Sequence, residues 1–163
     1  MHEPERFKSP EYLAVLDEVG TPEACHVSPS ALNAMQEAAK KDYPLETCGL
    51  LIGTVNNGWQ VDEARQIENL NKERAADRFQ LDPAGYRNVD RELRGTAREI
   101  IGVFHSHPDC PAKPSPTDLE SAWEGFVYPI ISIYNGEVAD ILCWTLNEDG
   151  SRFQSLSVKH SQK

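Results

Sequence analysis

Long apolar runs are missing from this sequence. No stretch of 18 apolar residues occurs, so no segment reads as a membrane-crossing helix. Residues 1–20 are charged and carry no apolar signal core, so secretion is not expected and a cytoplasmic location is. Basic charge is scarce too. Against 26 Asp and Glu stand 16 Lys and Arg, for a formal charge of −10 and a pI near 4.9. Nucleic acid and anionic membrane need basic patches and are not expected as partners. Acidity of this size is a common route to solubility and names no partner by itself. The four cysteines, Cys25, Cys48, Cys110 and Cys143, form no C-x-x-C pair. That argues against a zinc knuckle and against a disulfide framework, and the thiols are read as free. Cys48 and Cys143 sit in apolar runs, whereas Cys110 lies in a proline-rich loop.

What is present is enough for one globular domain. The chain has 163 residues, 39% of them hydrophobic, and a domain of that size buries about two-thirds of its unfolded surface. Residues 1–25 read as a polar tail with a short helix in 11–18, residues 26–158 as the domain, and 159–163 as a C-terminal tail. Ser28 is a good N-cap and Pro29 suits the first helical position. Leu32, Met35 and Ala39 then recur at helical spacing, and the helix should end before Pro44. The apolar residues 47–55, the turn Asn56-Asn57-Gly58 and the alternating residues 59–67 read as a β-hairpin. Residues 78–81 are a short strand candidate. Asp82-Pro83 opens a second helix, with Tyr86, Val89 and Leu93 on one face and Gly95 as its stop. Residues 99–107 read as a buried strand running into a loop at 108–114, and Ser115-Pro116 starts a third helix. Residues 129–134 and 138–146 form a second hairpin around Asn135-Gly136, and 152–158 add an edge strand. The expected fold is α/β or α+β, a mixed sheet of about six strands flanked by helices.

The chemistry concentrates at His105-Ser106-His107 and Ser115-Pro116-Thr117-Asp118. Side chains repeat with period two along a strand, so His105 and His107 share one face. Asp118 lies one helical turn past Ser115 and can point back to them. Two imidazoles and a carboxylate are the ligand set of a catalytic zinc with a fourth position left open. Each part has an ordinary explanation: two histidines that merely hydrogen-bond, and a helix start that favours Ser, Pro and an acid in that order. The coincidence of all three ligand types across one short loop favours the metal. Hydrolysis also needs a base, and from the residues alone Glu46, Glu99 and Glu120 all remain open.

The spacing resembles the JAMM motif of the MPN family: a glutamate, then His-Ser-His-Pro, and seven residues after the second histidine, Ser-x-x-Asp. Here these are Glu46, His105, His107, Ser115 and Asp118. Residues 46–51, Glu-Thr-Cys-Gly-Leu-Leu, and 102–105, Gly-Val-Phe-His, resemble the flanking strands of that family. The likeness runs over about residues 27–147 in element order, and the compact chain is similar to the small stand-alone prokaryotic members. It implies an MPN/cytidine-deaminase-like sandwich and one zinc per chain held by His105, His107 and Asp118. It implies Glu46 as proton carrier for a metal-activated water and Ser115 as donor to the oxyanion. It also implies a substrate: an amide bond at the C-terminal Gly-Gly tail of a ubiquitin-like or sulfur-carrier protein. That tail would add to an exposed strand edge beside the metal, with residues 79–82 and the following helix forming part of the groove. Three other readings compete. A non-catalytic MPN-type interaction scaffold would usually have lost ligands that are all present here. A zinc deaminase needs a P-C-x-x-C pair, which is absent. A RadC-like DNA-associated protein fits poorly with the acidic charge. The oligomeric state is left open.

Overall fold

The computed structural model describes residues 3–160. Seven strands, β1 (Ala24–Val27), β2 (Cys48–Val55), β3 (Trp59–Ile67), β4 (Glu99–Pro108), β5 (Val127–Tyr134), β6 (Glu137–Leu146) and β7 (Phe153–His160), close into a barrel in the order β1-β3-β2-β4-β5-β6-β7. The sheet is mixed: β1 runs parallel to β3 and β7, and β4 runs parallel to β5, while the remaining pairs are antiparallel. Among the described residues four α-helices and one short 3-10 helix (Glu5–Lys8) accompany it: α1 (Pro10–Leu13), α2 (Pro29–Asp42), α3 (Pro83–Leu93) and α4 (Pro116–Glu120).

Helix α2 starts where Ser28 caps the amide of Ala31 and Pro29 occupies the first turn, leaving fewer unsatisfied amides at that end. Its stripe of Ala31, Met35, Ala38 and Ala39 packs on Leu51, Phe104, Ile131 and Ile133. Helix α3 begins at the Asp82 cap and lays Val89 and Leu93 over Leu50, Ile52 and Ile100. Because strand residues alternate faces, Leu51 and its neighbours Leu50 and Ile52 serve different helices, and β2 is buried on both sides. Gly49 is small for a reason. A Cβ there would stand 2.4 Å from both the Arg65 carbonyl oxygen and the Phe104 ring.

Four expectations change. The count of about six strands rises to seven, because Ala24–Val27 is a strand and not part of a tail. Four residues are too few to show period-two alternation, and their pairing is wholly with distant segments. That strand also covers β7, so residues 152–158 are no edge: β7 pairs with β6 on one side and β1 on the other. Residues 78–81 make only an isolated bridge, Asn69 to Leu81. The segment expected as a polar tail is ordered against the domain from residue 3. Phe7 and Val15 are buried, Leu16 bridges to Phe153, and Lys113 pairs with Glu3 at 3.0 Å. Of the expected C-terminal tail, 161–163 lie outside the described residues.

Candidate metal centre

The site is assembled at the end of β4. The register of β2 on β4 pairs Cys48 with His105, and continuing it two residues places Glu46 opposite His107. Ser106, between the two histidines, points to the other face of the strand. Its Oγ accepts the Thr47 amide at 2.8 Å, and its own amide donates to the Thr47 carbonyl at 3.1 Å. The serine of His-Ser-His therefore clamps the residue next to Glu46. Glu46 is fixed further by its amide on the Ala75 carbonyl and by Asn69 Nδ2 on its carbonyl.

The loop after β4 turns at Asp109, where φ is 55°, a conformation that aspartate tolerates better than most residues. Three donors hold it in place: Ser132 Oγ on the Cys110 carbonyl, His107 Nδ1 on that of Pro111, and Trp144 Nε1 on that of Ala112. The loop delivers α4 with its N-terminus toward the histidines. There Ser115 and Asp118 form a reciprocal capping box, Oγ accepting the Asp118 amide at 3.1 Å and Oδ2 accepting the Ser115 amide at 2.8 Å. The carboxylate atom that closes the box is the one that faces the imidazoles.

Three acceptor atoms converge. His105 Nε2 and His107 Nε2 are 3.1 Å apart, and Asp118 Oδ2 is 3.4 Å from each. A tetrahedral ion with ligand bonds of about 2.0–2.1 Å separates its ligands by roughly 3.3–3.4 Å, so the triangle has the size of such a site. The donor chemistry agrees. With Nδ1–H of His107 given to Pro111 at 2.9 Å, its Nε2 carries the free lone pair, the tautomer a metal requires. His105 is held differently. Its Nδ1 is buried without a hydrogen-bond partner, and the ring is positioned by stacking on Phe79 at 4.6 Å. Among the described residues, His105, His107 and Asp118 form the group of His, Cys, Asp or Glu side chains able to hold an ion. Neither Glu99 nor Glu120 joins it, and both are exposed.

The charges respond to burial. Burial lowers the His105 pKa. For His107 the Asp118 carboxylate outweighs burial and raises it. Asp118 remains ionised because the two imidazoles together outweigh its own burial. Glu46 is 6% exposed, and burial pushes its carboxyl up to about 8, with His107 opposing and Asp118 and Asp77 adding. A carboxyl in that range can both accept and return a proton near neutral pH.

A raised carboxyl pKa contributes stability that is full below its unfolded value and is lost as pH rises through the folded value. For Glu46 the window runs from 4.5 to about 8. With a chelator present, Glu46→Gln should therefore gain stability relative to wild type by a few kcal/mol, on the order of 1.4 per unit, between pH 4.5 and 8. Urea unfolding at the two pH values checks this, and a difference independent of pH would count against a buried protonated Glu46.

Sequence reasoning named the five residues but not their supports. Ser106 was readable only as part of a motif, and Phe79 only as a groove residue; its stack on His105 depends on a loop closing across 26 positions. Phe7, 6.2 Å from the His107 ring, and Arg6, whose Nη2 meets Cys110 Sγ at 3.1 Å, come from the segment taken for a tail.

Comparisons with known proteins agree with this architecture. Residues 28–147 match the family model described as prokaryotic homologs of the JAB domain. The chain is 34% identical over 131 residues to a desampylase of Haloferax volcanii, an alignment covering 79% of this chain and 88% of that protein. It is 32% identical over 93 residues to a CysO-cysteine peptidase of Mycobacterium bovis, covering 57% of this chain and 62% of that one. A JAB1/MPN domain protein of Archaeoglobus fulgidus superposes with a TM-score of 0.52 at 21% identity, over 83% of this chain and 97% of that one, and this likeness concerns the fold. The barrel, its metal-sized triangle at the end of β4 and the matched residues 28–147 place the chain in the prokaryotic branch of the JAB/MPN family.

Proposed function

We propose that the chain is a zinc-dependent peptidase of the JAMM type that hydrolyses the amide bond after the C-terminal Gly-Gly of a ubiquitin-like or sulfur-carrier protein. The observation that carries this reading is the triangle of His105, His107 and Asp118 beside a buried, protonatable Glu46. An interaction scaffold has no need of either, and the named desampylase and CysO-cysteine peptidase relatives are hydrolases by name.

His105, His107 and Asp118 would hold one zinc; the chemistry that it supplies is Lewis-acid polarisation. Glu46 takes a proton from the attacking water and returns it to the leaving nitrogen. The water oxygen bonds to the carbonyl carbon to give a tetrahedral oxyanion; the C–N bond then breaks, both water protons end on the nitrogen, and a carboxylate and an ammonium group are left. Ser115 can serve two ends at once. Its oxygen lone pair holds the Asp118 amide, and its O–H remains to donate to the developing oxyanion. Ser115→Ala should lower kcat by about 10²–10³-fold, as loss of one oxyanion donor does. Steady-state kinetics with metal content measured alongside separates this from metal loss, and an unchanged kcat would remove Ser115 from the reaction.

The tail has a place to lie along the expected residues 79–82 and helix α3, though not as a strand added to β4. β4 is paired on both sides, with β2 and β5, so it offers no open edge for an added strand. A cleft of about 200 Å³ instead reaches His105 and Asp118, walled by Phe79, Leu81, Tyr86 and Trp123. Trp123 is 56% exposed and meets Tyr86 edge-on at 5.8 Å. Glycines thread narrow sites beside a metal, and the apolar walls suit the larger residues that precede them. Incubating the zinc-loaded protein with Gly-Gly-tailed conjugates of carriers from the same genome, read by mass spectrometry, tests the reading. Release of a free Gly-Gly terminus is expected; intact conjugates throughout would contradict it. No helix among the described residues is long and apolar enough to cross a membrane, and we propose a cytoplasmic location.

A further inference from the structure

Four rings follow one another across the metal centre. Phe79 stacks on His105 at 4.6 Å, His105 meets His107 at 4.9 Å, and His107 meets Phe7 at 6.2 Å. Phe79 belongs to the loop before α3, within residues 28–147 that match the family model, and Phe7 lies outside them. The metal ligands therefore come from the family domain, while one ring neighbour of His107 comes from a segment that precedes it. Phe7 and Tyr12 of that segment also wall the opening that reaches His107 and Glu46.

The segment is anchored at two places. Toward its end it is stitched to β7: the Phe153 amide donates to the Val15 carbonyl at 2.7 Å, and the Asp17 amide to the Phe153 carbonyl at 2.8 Å. Nearer its start it closes on the metal loop. Phe7 is 5% exposed, packs edge-on against Tyr12 at 4.9 Å, and carries the Arg6 guanidinium 5.1 Å from its ring centre. The helix Glu5–Lys8 has four residues, three of them charged. A helix that short has little stability of its own, so tertiary contacts hold Phe7 in place.

Those contacts fall on the loop that sets the His107 ring. His107 donates Nδ1–H to the Pro111 carbonyl at 2.9 Å, which leaves Nε2 as the ligand atom. The segment grips the chain on either side of Pro111. Arg6 Nη2 meets Cys110 Sγ at 3.1 Å, and Lys113 Nζ donates to Glu3 at 3.0 Å. One hydrogen bond fixes one edge of an imidazole, and packing against the ring fixes its tilt. Zinc tolerates bond-length errors of only about 0.2 Å, so a ligand ring that is free to tilt loses affinity.

We propose that residues 3–16 clamp the His107 side of the metal centre, with Phe7 as the positioning residue that holds the imidazole in its ligating orientation. Arg6 and Glu3 act one step further out, on the loop that presents the Pro111 carbonyl. The clamp works through His107, so it rests on the zinc reading above, and a metal-free measurement separates the two.

Zinc affinity is measured on the full chain by competition with a chromogenic chelator. Phe7→Ala should raise the zinc Kd about 10–100-fold, the scale of lost support around a metal ligand, and Phe7→Leu, which keeps apolar bulk, should recover most of the loss. Glu3→Gln combined with Arg6→Gln removes only outlying contacts and should weaken zinc about threefold. Val15→Ala is the control: Val15 is 4% exposed in the same segment but bonds to Phe153. It should lose stability to urea and keep wild-type zinc affinity. In the metal-free chain, ring-15N-labelled histidine is read by NMR at a pH where the imidazoles are neutral. His107 should show one tautomer, protonated at Nδ1, in wild type and a mixture in Phe7→Ala. Wild-type zinc affinity in Phe7→Ala, or in the double variant should Phe7→Ala not fold, overturns the clamp and leaves the peptidase standing. An equal loss in Val15→Ala does the same, since it makes the effect one of general stability. Wild type that takes up no zinc, with mixed tautomers in Phe7→Ala, supports the clamp and counts against the zinc reading. No zinc uptake and no change of tautomer overturns both.

Discussion

Glu46→Gln should lower kcat by roughly 10²–10⁴-fold, the scale of a lost general base and acid, while one zinc per chain stays bound. The variant is close to isosteric and cannot accept the water's proton. Its surroundings should persist, because the backbone of residue 46 is held by Ala75 and Asn69 and its neighbour Thr47 by Ser106. None of these contacts involves the side chain being changed. The effect should fall on kcat more than KM, since Glu46 acts on the reacting proton and not on substrate binding. Single-turnover cleavage with zinc measured on the same sample checks both halves. Activity within a few-fold of wild type would take Glu46 out of the mechanism.

Asp118→Ala should lose the metal and with it all turnover. Oδ2 stands at one corner of the triangle, 3.4 Å from both imidazole nitrogens, and two histidines alone leave a divalent ion short of the three protein ligands of a catalytic site. The cost has a second part. Asp118 also closes the capping box with Ser115, so its loss frees the start of α4 by about 1 kcal/mol. His107→Ala should lose zinc as well, without touching that cap. Asp118→Asn makes a useful contrast. It can keep an oxygen on the Ser115 amide but lacks the charge, so it should hold α4 while binding zinc more weakly. Stoichiometric zinc in both Asp118→Ala and His107→Ala would contradict the ligand assignment.

The site was more legible than its supports. His105, His107, Ser115 and Asp118 lie within 14 positions of one another along the chain, so strand period and helix capping suffice to bring them together. Glu46 was open to choice among acids until the motif resemblance was drawn, and the β2–β4 register gives the physical reason for it. Helices with caps, such as α2 at Ser28-Pro29 and α3 at Asp82-Pro83, and hairpins with Asn-Gly turns were readable because their signals are local. What was missed depends on distant partners. β1 is four residues long and gains its pairing from β3 and β7. Phe7 and Arg6 sit in charged sequence that gives no period, and the packing of Phe7 by His107 and the contact of Arg6 with Cys110 join residues about 100 positions apart. The barrel closure followed from the same missed strand, and with it went the edge expected at β7.

X-ray absorption spectroscopy at the zinc edge on the purified, zinc-loaded chain tests the central claim most directly. One zinc per chain is predicted, bound by two imidazole nitrogens and by oxygen at about 2.0–2.1 Å, with the imidazole signal reduced in His107→Ala. A protein that takes up no zinc, or one whose metal is held by cysteine sulfur at about 2.3 Å, would contradict the account.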